Sequence, residues 1–196
     1  IGQGDSIVFF DAGAARRRIE ALPFVRQAEV LRLLPGTIRV EIAEREPYAV
    51  WQFQGAVSVI DAEGVVIDRA TQTDYAALPL VVGAGANTHA GELFAALGRW
   101  PALRPRMRAA VRVANRRWNV RLYNGVDIRL PENNLAAAVD ELASLEETHG
   151  LLQRDILAVD LRLSDRITIR LSEEAAADRR AALKKMSKSK RAGADT

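Results

Sequence analysis

Two histidines, His89 and His149, and no cysteine leave the chain short of the side chains that most often move protons or ligate transition metals near neutral pH. His89 stands in His89-Ala90-Gly91-Glu92 without a second histidine one helical turn away, so the zinc-protease pattern is absent. His149 ends a helix-forming run, where a cation suits the helix dipole. Glu44 and Glu46 flank Arg45 at a strand end, and Glu146 and Glu147 sit on the polar side of a helix; solvated carboxylates are the simpler reading of both pairs. Gly83-Ala84-Gly85 lacks the third glycine of a dinucleotide loop and the Gly-Lys-Ser/Thr of a phosphate loop, which leaves a flexible turn. Trp51, Trp100 and Trp118 fall on different elements with no basic groove between them, so packing is a simpler role for them than base stacking. No catalytic residue, metal or cofactor is expected; a small hydrolase built on His89 or His149 is the enzymatic alternative.

With these sites set aside, the chemistry left is recognition by backbone. In 166–171, Ile167, Ile169 and Leu171 alternate with Arg166, Thr168 and Arg170, the pattern of a strand with one apolar and one charged face. A strand at the margin of a sheet offers unpaired N–H and C=O groups to an incoming strand. Arg166 and Arg170 also fit the charged residues with which proteins protect such an edge from aggregation.

The elements that must position this strand are legible in outline. Asp11 is a good N-cap for a helix over 11–22, which Pro23 ends. Strands over 25–33 and 37–45 meet at Leu34-Pro35-Gly36, the second with Ile38, Val40 and Ile42 alternating with Arg39, Glu41 and Ala43. Short strands over 48–54, 56–61 and 65–68 read as a meander, followed by a helix over 90–97. Strands over 108–114, 118–123 and 126–130 follow, the last two joined by Asn124-Gly125, a strong hairpin signal. Asn133 or Asn134 caps a long helix with Leu135, Val139, Leu142 and Leu145 on one stripe and Gly150 as its stop. A strand over 157–163, with Leu157, Val159, Leu161 and Leu163 on one face, turns at Ser164-Asp165 into 166–171. Beyond Glu173 the composition predicts a short helix fraying into disorder.

The 196 residues, 48% of them hydrophobic, are enough for one ordinary domain or two small ones. A pI near 9.6 suggests nucleic acid, but the charge is local. Residues 178–196 carry a net +5, leaving a slightly acidic −2 on the body, so no nucleic-acid partner is expected. Without cysteine there is no disulfide framework and no thiol nucleophile, which fits an oxidising compartment. No apolar run reaches the roughly 20 residues of a membrane helix, and the start on Ile1 rather than Met reads as a portion of a longer protein.

Phe10-Asp11, Arg16-Arg17-Arg18-Ile19-Glu20-Ala21-Leu22-Pro23-Phe24-Val25, Leu33-Leu34-Pro35-Gly36-Thr37-Ile38 and Glu44-Arg45-Glu46-Pro47 resemble a POTRA domain entered partway. With Ala49-Val50-Trp51-Gln52, Val59-Ile60-Asp61-Ala62-Glu63-Gly64, Leu78-Pro79-Leu80-Val81-Val82-Gly83 and Ala158-Val159-Asp160-Leu161-Arg162, the series is similar to the bacterial FtsQ/DivIB cell-division family. The resemblance implies an α+β chain: a POTRA unit over 1–47 lacking its N-terminal part, a mixed, mostly antiparallel β domain with flanking helices over 48–172, and a basic tail over 173–196. It further implies a non-catalytic scaffold at the division septum, anchored in the inner membrane by a helix upstream of Ile1 and facing the periplasm. FtsB and FtsL are the implied partners, FtsB adding a strand to the C-terminal sheet edge, while the POTRA unit meets other division proteins. Carried onto this chain, the partner-binding residues are Arg116, Arg162, Leu163, Arg166, Ile167, Thr168, Ile169, Arg170 and Leu171. Leu163 and Leu171 depart from the family, which often has an aromatic and a tryptophan there. POTRA units also occur in outer-membrane secretion or assembly proteins, the alternative reading, but those need many barrel strands downstream.

Overall fold

The computed structural model describes residues 10–69 and 75–192, the side chains of 185–192 excepted. The chain forms two compact units, 1–79 and 80–196.

In the first unit, helix α1 (Ala12–Glu20) starts where Asp11, in extended backbone, accepts the Ala14 N–H at 2.9 Å. That bond holds the Asp11 carboxyl below its ordinary range. Strands β1 (Val25–Leu33) and β2 (Thr37–Glu44) form an antiparallel hairpin in the register Leu33↔Thr37 to Val25↔Glu44. Val25 and Ala28 are buried, whereas Val40 and Ile42 on β2 are exposed, because α1 packs on β1. A meander of β3 (Ala49–Phe53), β4 (Ala56–Ile60) and β5 (Val66–Arg69) follows. Gln54 and Gly55 take φ of 50° and 80°, the two left-handed positions that a tight hairpin turn requires. Arg45, just past β2, pairs with buried Asp61 at the end of β4, so hairpin and meander are tied by charge as well as by chain.

The second unit runs β6 (Leu80–Val82), α2 (Ala90–Leu97), β7 (Met107–Val113), β8 (Arg117–Leu122), β9 (Asp127–Arg129), α3 (Leu135–His149), β10 (Ile156–Leu163), β11 (Arg166–Leu171) and α4 (Glu173–Ala192). Its strands lie in the order β6-β7-β8-β9-β10-β11. The β6–β7 and β9–β10 pairs are parallel and the others antiparallel. Both parallel steps contain a helix, α2 or α3, as a parallel crossover needs. The helices pack on each other, and their stripes, including Leu93, Leu97, Val139 and Leu142, are buried. The α+β class expected from sequence is the one observed.

Four local readings are corrected. Asn134 sits at the α3 N-cap in left-handed backbone (φ 60°), and its side chain makes no capping bond. Gly83 and Gly85 are not loose: Gly83 has φ +113° and a Cβ there would lie 2.7 Å from the Arg112 carbonyl, while Gly85 abuts Asn115. Leu157 and Leu163 do not share the buried face of Val159 and Leu161. The β10–β11 register slips between Ile156 and Ala158 and again between Asp160 and Leu163, and each bulge resets the alternation of side chains. Finally, α4 continues for 20 residues where a short helix is expected. Alanine, arginine, lysine and glutamate are strong helix formers even where too polar to build a core, and Ser172 caps the start, its Oγ accepting the Ala175 N–H at 3.1 Å. Of the disordered end expected after that helix, residues 193–196 lie outside those described.

Candidate partner-binding edge

A row of side chains crosses the second unit's sheet in register: Val81, Ala110, Val120, Ile128, Val159 and Ile169. The first five are completely buried, but Ile169 is 41% exposed. The cause is position: among the described residues β11 pairs with β10 alone, so the row stops at the sheet's margin. Ile167 and Leu171, two residues either side of Ile169, are half-buried. The strand thus has an apolar side continuous with the core and an outer edge for backbone pairing.

The opposite face is ionic. Asn119, Arg129, Asp160 and Thr168 form the neighbouring row. Asp160 accepts two bonds from the Arg162 guanidinium, one at 2.7 Å from Nε, and a third from the Arg162 N–H at 3.2 Å, and it lies 3.6 Å from Arg129 Nη1. The Arg162 guanidinium holds the Asp160 carboxyl below its ordinary range despite partial burial. Arg162 is therefore engaged within its own strand, and an acidic partner would have to compete with Asp160. Arg116, in the β7–β8 turn, lies 3.7 Å from Glu132, and Arg166 lies 3.3 Å from its neighbour Asp165.

The register sorts the predicted residues into groups. The start of β8, the ends of β9 and β10 and the start of β11 share one end of the sheet, which brings Arg116, Arg162, Leu163 and Arg166 to that end. Leu163 is 55% exposed there. Thr168 and Ile169 occupy the middle, and Arg170 and Leu171 the far end, where α4 departs. The sequence reading missed Leu157 and the first turns of α4, which line this far end. Ser172-Glu173-Glu174 before an alanine run marks the start of the helix expected beyond Glu173, but its place beside β11 has no local sequence signal.

Neither histidine joins such a group. His89 Nδ1 lies 2.9 Å from the Gly85 carbonyl and 3.0 Å from Thr88 Oγ1, which fixes the loop before α2. His149 is exposed at the end of α3, its carbonyl accepting from Arg154 Nε at 3.1 Å. Among the described residues no cluster of His, Asp and Glu could hold a metal ion, and no helix is long and apolar enough to cross a membrane.

Residues 49–162 match the family described as Cell division protein FtsQ/DivIB, C-terminal, and residues 1–45 match the POTRA domain, FtsQ-type. The chain belongs to the FtsQ/DivIB family. It is 46% identical over 170 residues to the cell division protein FtsQ of Rhizobium meliloti (strain 1021), covering 87% of this chain and 55% of that protein. Against FtsQ of Bradyrhizobium diazoefficiens it is 43% identical over 185 residues, covering 94% of this chain and 54% of the relative. Against FtsQ of Caulobacter vibrioides (strain NA1000 / CB15N) it is 38% identical over 160 residues, with 82% and 53% covered. The chain thus spans about half the length of these relatives. Arg45, where the FtsQ-type POTRA match ends, pairs with Asp61 inside the FtsQ/DivIB match. The latter stops at 162, short of β11 and α4.

Proposed function

We propose that this chain is a non-catalytic scaffold of the bacterial division machinery, binding periplasmic segments of FtsB and FtsL by addition of a strand to the outer edge of β11. The supporting observation is the core row that is fully buried through Val159 and ends on exposed Ile169. A strand laid against β11 continues this row and satisfies the outward N–H and C=O groups. Covering the exposed part of Ile169 contributes about 1 kcal/mol on the scale of full side-chain burial. Each ladder hydrogen bond adds a net contribution of about 0.5–1.5 kcal/mol. In this reading Arg116, Arg162 and Arg166 meet acidic partner groups at one end of the sheet, and Leu163, Ile167, Thr168, Ile169, Arg170 and Leu171 form the contact along its edge. The protein sits at the septum, its periplasmic part held by an inner-membrane anchor, and the POTRA unit contacts other division proteins.

The test is a pair of variants, Thr168→Pro and Ile169→Pro. Successive N–H groups of a strand point to opposite edges, so one of the two prolines removes a donor to β10 and the other a donor to the partner. The first is expected to melt early. The second should keep its melting temperature and bind the FtsB periplasmic segment about 10- to 100-fold more weakly by calorimetry, through a lost bond and an unsatisfied partner carbonyl. A stable proline variant that keeps wild-type affinity would refute strand addition.

A further inference from the structure

The far end of β11 holds a second feature. Opposite Leu171 and Arg170 of β11 stand Ile156 and Ala158 of β10, so Leu157 is the extra residue of a bulge with no partner across the ladder. Its side chain is turned out and 44% exposed. One residue past Leu171, the Ser172 hydroxyl donates to Asp155 and also accepts the Ala175 N–H, while the Ser172 carbonyl accepts the Ala176 N–H at 3.0 Å. These bonds fix the start of α4 to the strand end. Ala176, Arg179, Arg180 and Leu183 then recur at the spacing of one helix face.

That face, with Leu157, Arg170 and Leu171, encloses a groove of about 750 Å³. Its apolar side chains are three leucines and Ala176, and Leu183 is 55% exposed. Three arginines, at 170, 179 and 180, stand against one carboxylate, Glu173, a net charge of +2. Exposed leucines among cations of one sign are costly as a bare surface and complementary to an amphipathic acidic chain. Because Arg170 and Leu171 belong both to the groove and to β11, whatever runs along the strand's edge reaches the groove without a break.

We infer that the groove between α4 and the Leu157 bulge seats an acidic, amphipathic flank of the same segment that pairs with β11. The inference rests on the strand-addition reading. It makes α4 a second point of attachment, at the end of the sheet opposite Arg116 and Arg162, and so sets the direction and extent of the bound segment.

The experiment measures calorimetric affinity of the FtsB periplasmic segment for the wild-type chain, for Arg179→Glu/Arg180→Glu, for Leu157→Ser, and for the stable β11 proline variant. Both arginines are exposed, so the double reversal should fold normally, which circular dichroism checks. The expected result is a loss of about tenfold or more for the double reversal, with a weaker dependence on salt, and a loss of several-fold for Leu157→Ser. Unchanged affinity in both groove variants, with the proline variant still defective, overturns the groove inference and leaves strand addition standing. Unchanged affinity in all three overturns both. If the double reversal instead abolishes co-sedimentation with phosphatidylglycerol vesicles, or shifts a monomer–dimer equilibrium, without changing affinity for the segment, the groove belongs to a membrane or to a second copy and the inference fails.

Discussion

Replacing Arg45 with alanine should be among the most damaging single changes in the first unit, and the cost can be worked from its partners. Asp61 is buried, yet it stays charged: burial alone raises its carboxyl, but the Val65 N–H and the Arg45 guanidinium outweigh that and hold it below the ordinary range. Val65 N–H donates to Oδ1 at 2.8 Å, closing the β4–β5 turn, and Arg45 Nη1 donates to Oδ2. Arg45 also lies 3.7 Å from Glu63, which takes Arg26 at 2.6 Å. Arg45→Ala leaves a buried carboxylate unpaired, a loss of about 3–5 kcal/mol. Asp61→Asn keeps an acceptor for Val65 and leaves Arg45 its second carboxylate, so about 1–2 kcal/mol is expected. The assay is hydrogen exchange of β3–β5 amides across a urea series, which reads this unit separately from the other. The pH dependence has a definite sign. A carboxyl depressed in the folded state contributes stability that is fully present above its unfolded value near 3.9 and lost as pH falls through the folded one, so the acid-labile part should shrink in Asp61→Asn. Equal losses for the two variants, or a loss under about 1 kcal/mol for Arg45→Ala, would refute this account of the pair.

Three further outcomes follow from the second unit. Gly83→Ala should cost more than Gly85→Ala, by at least about 1 kcal/mol in thermal melts, since the first drives a Cβ into the Arg112 backbone and the second into the movable end of Asn115. Trp118 is buried with its Nε1–H meeting no acceptor among the described residues, so Trp118→Phe should cost far less than the roughly 3–5 kcal/mol of Trp118→Ala in urea denaturation. Glu146, whose burial-raised carboxyl is pulled back below the ordinary range by Arg106 at 2.8 Å and the Leu152 N–H at 2.6 Å, should lose about 2–3 kcal/mol as Glu146→Ala; the same denaturation series checks it.

Much of the element order could be read from periodicity and turn residues. The helix over 90–97 and the strands around Asn124-Gly125 fall where the pattern puts them, because apolar spacing and left-handed glycine are local properties. Gly125 takes φ 87°, and the Leu122 carbonyl accepts its N–H at 3.1 Å. Leu157 and Leu163 fail for a reason that periodicity cannot contain. A bulge is a property of two strands, one residue longer on one side than on the other, and the alternation within β10 carries no record of where β11 slips. Asn134 is the converse case: its type suits a cap, but left-handed backbone directs its side chain elsewhere.

The same distinction governs the candidate edge. That Ile167, Ile169 and Leu171 form an apolar face is written in 166–171, but an alternating strand reads the same in the middle of a sheet as at its margin. Only the strand order supplies the difference, by pairing Ile169 with fully buried Val159 on one side and with nothing described on the other. The arginines carry a further lesson. Read as free charges, Arg162 and Arg166 suggest waiting acceptors for acidic groups; in the fold they lie on Asp160 and Asp165. If the edge binds as proposed, its specificity comes from exchanging these pairs, and its affinity from backbone and the unfinished apolar row. Asp160→Asn should then strengthen binding of an acidic segment by freeing Arg162, whereas a partner that reads the edge by backbone alone would not notice the change.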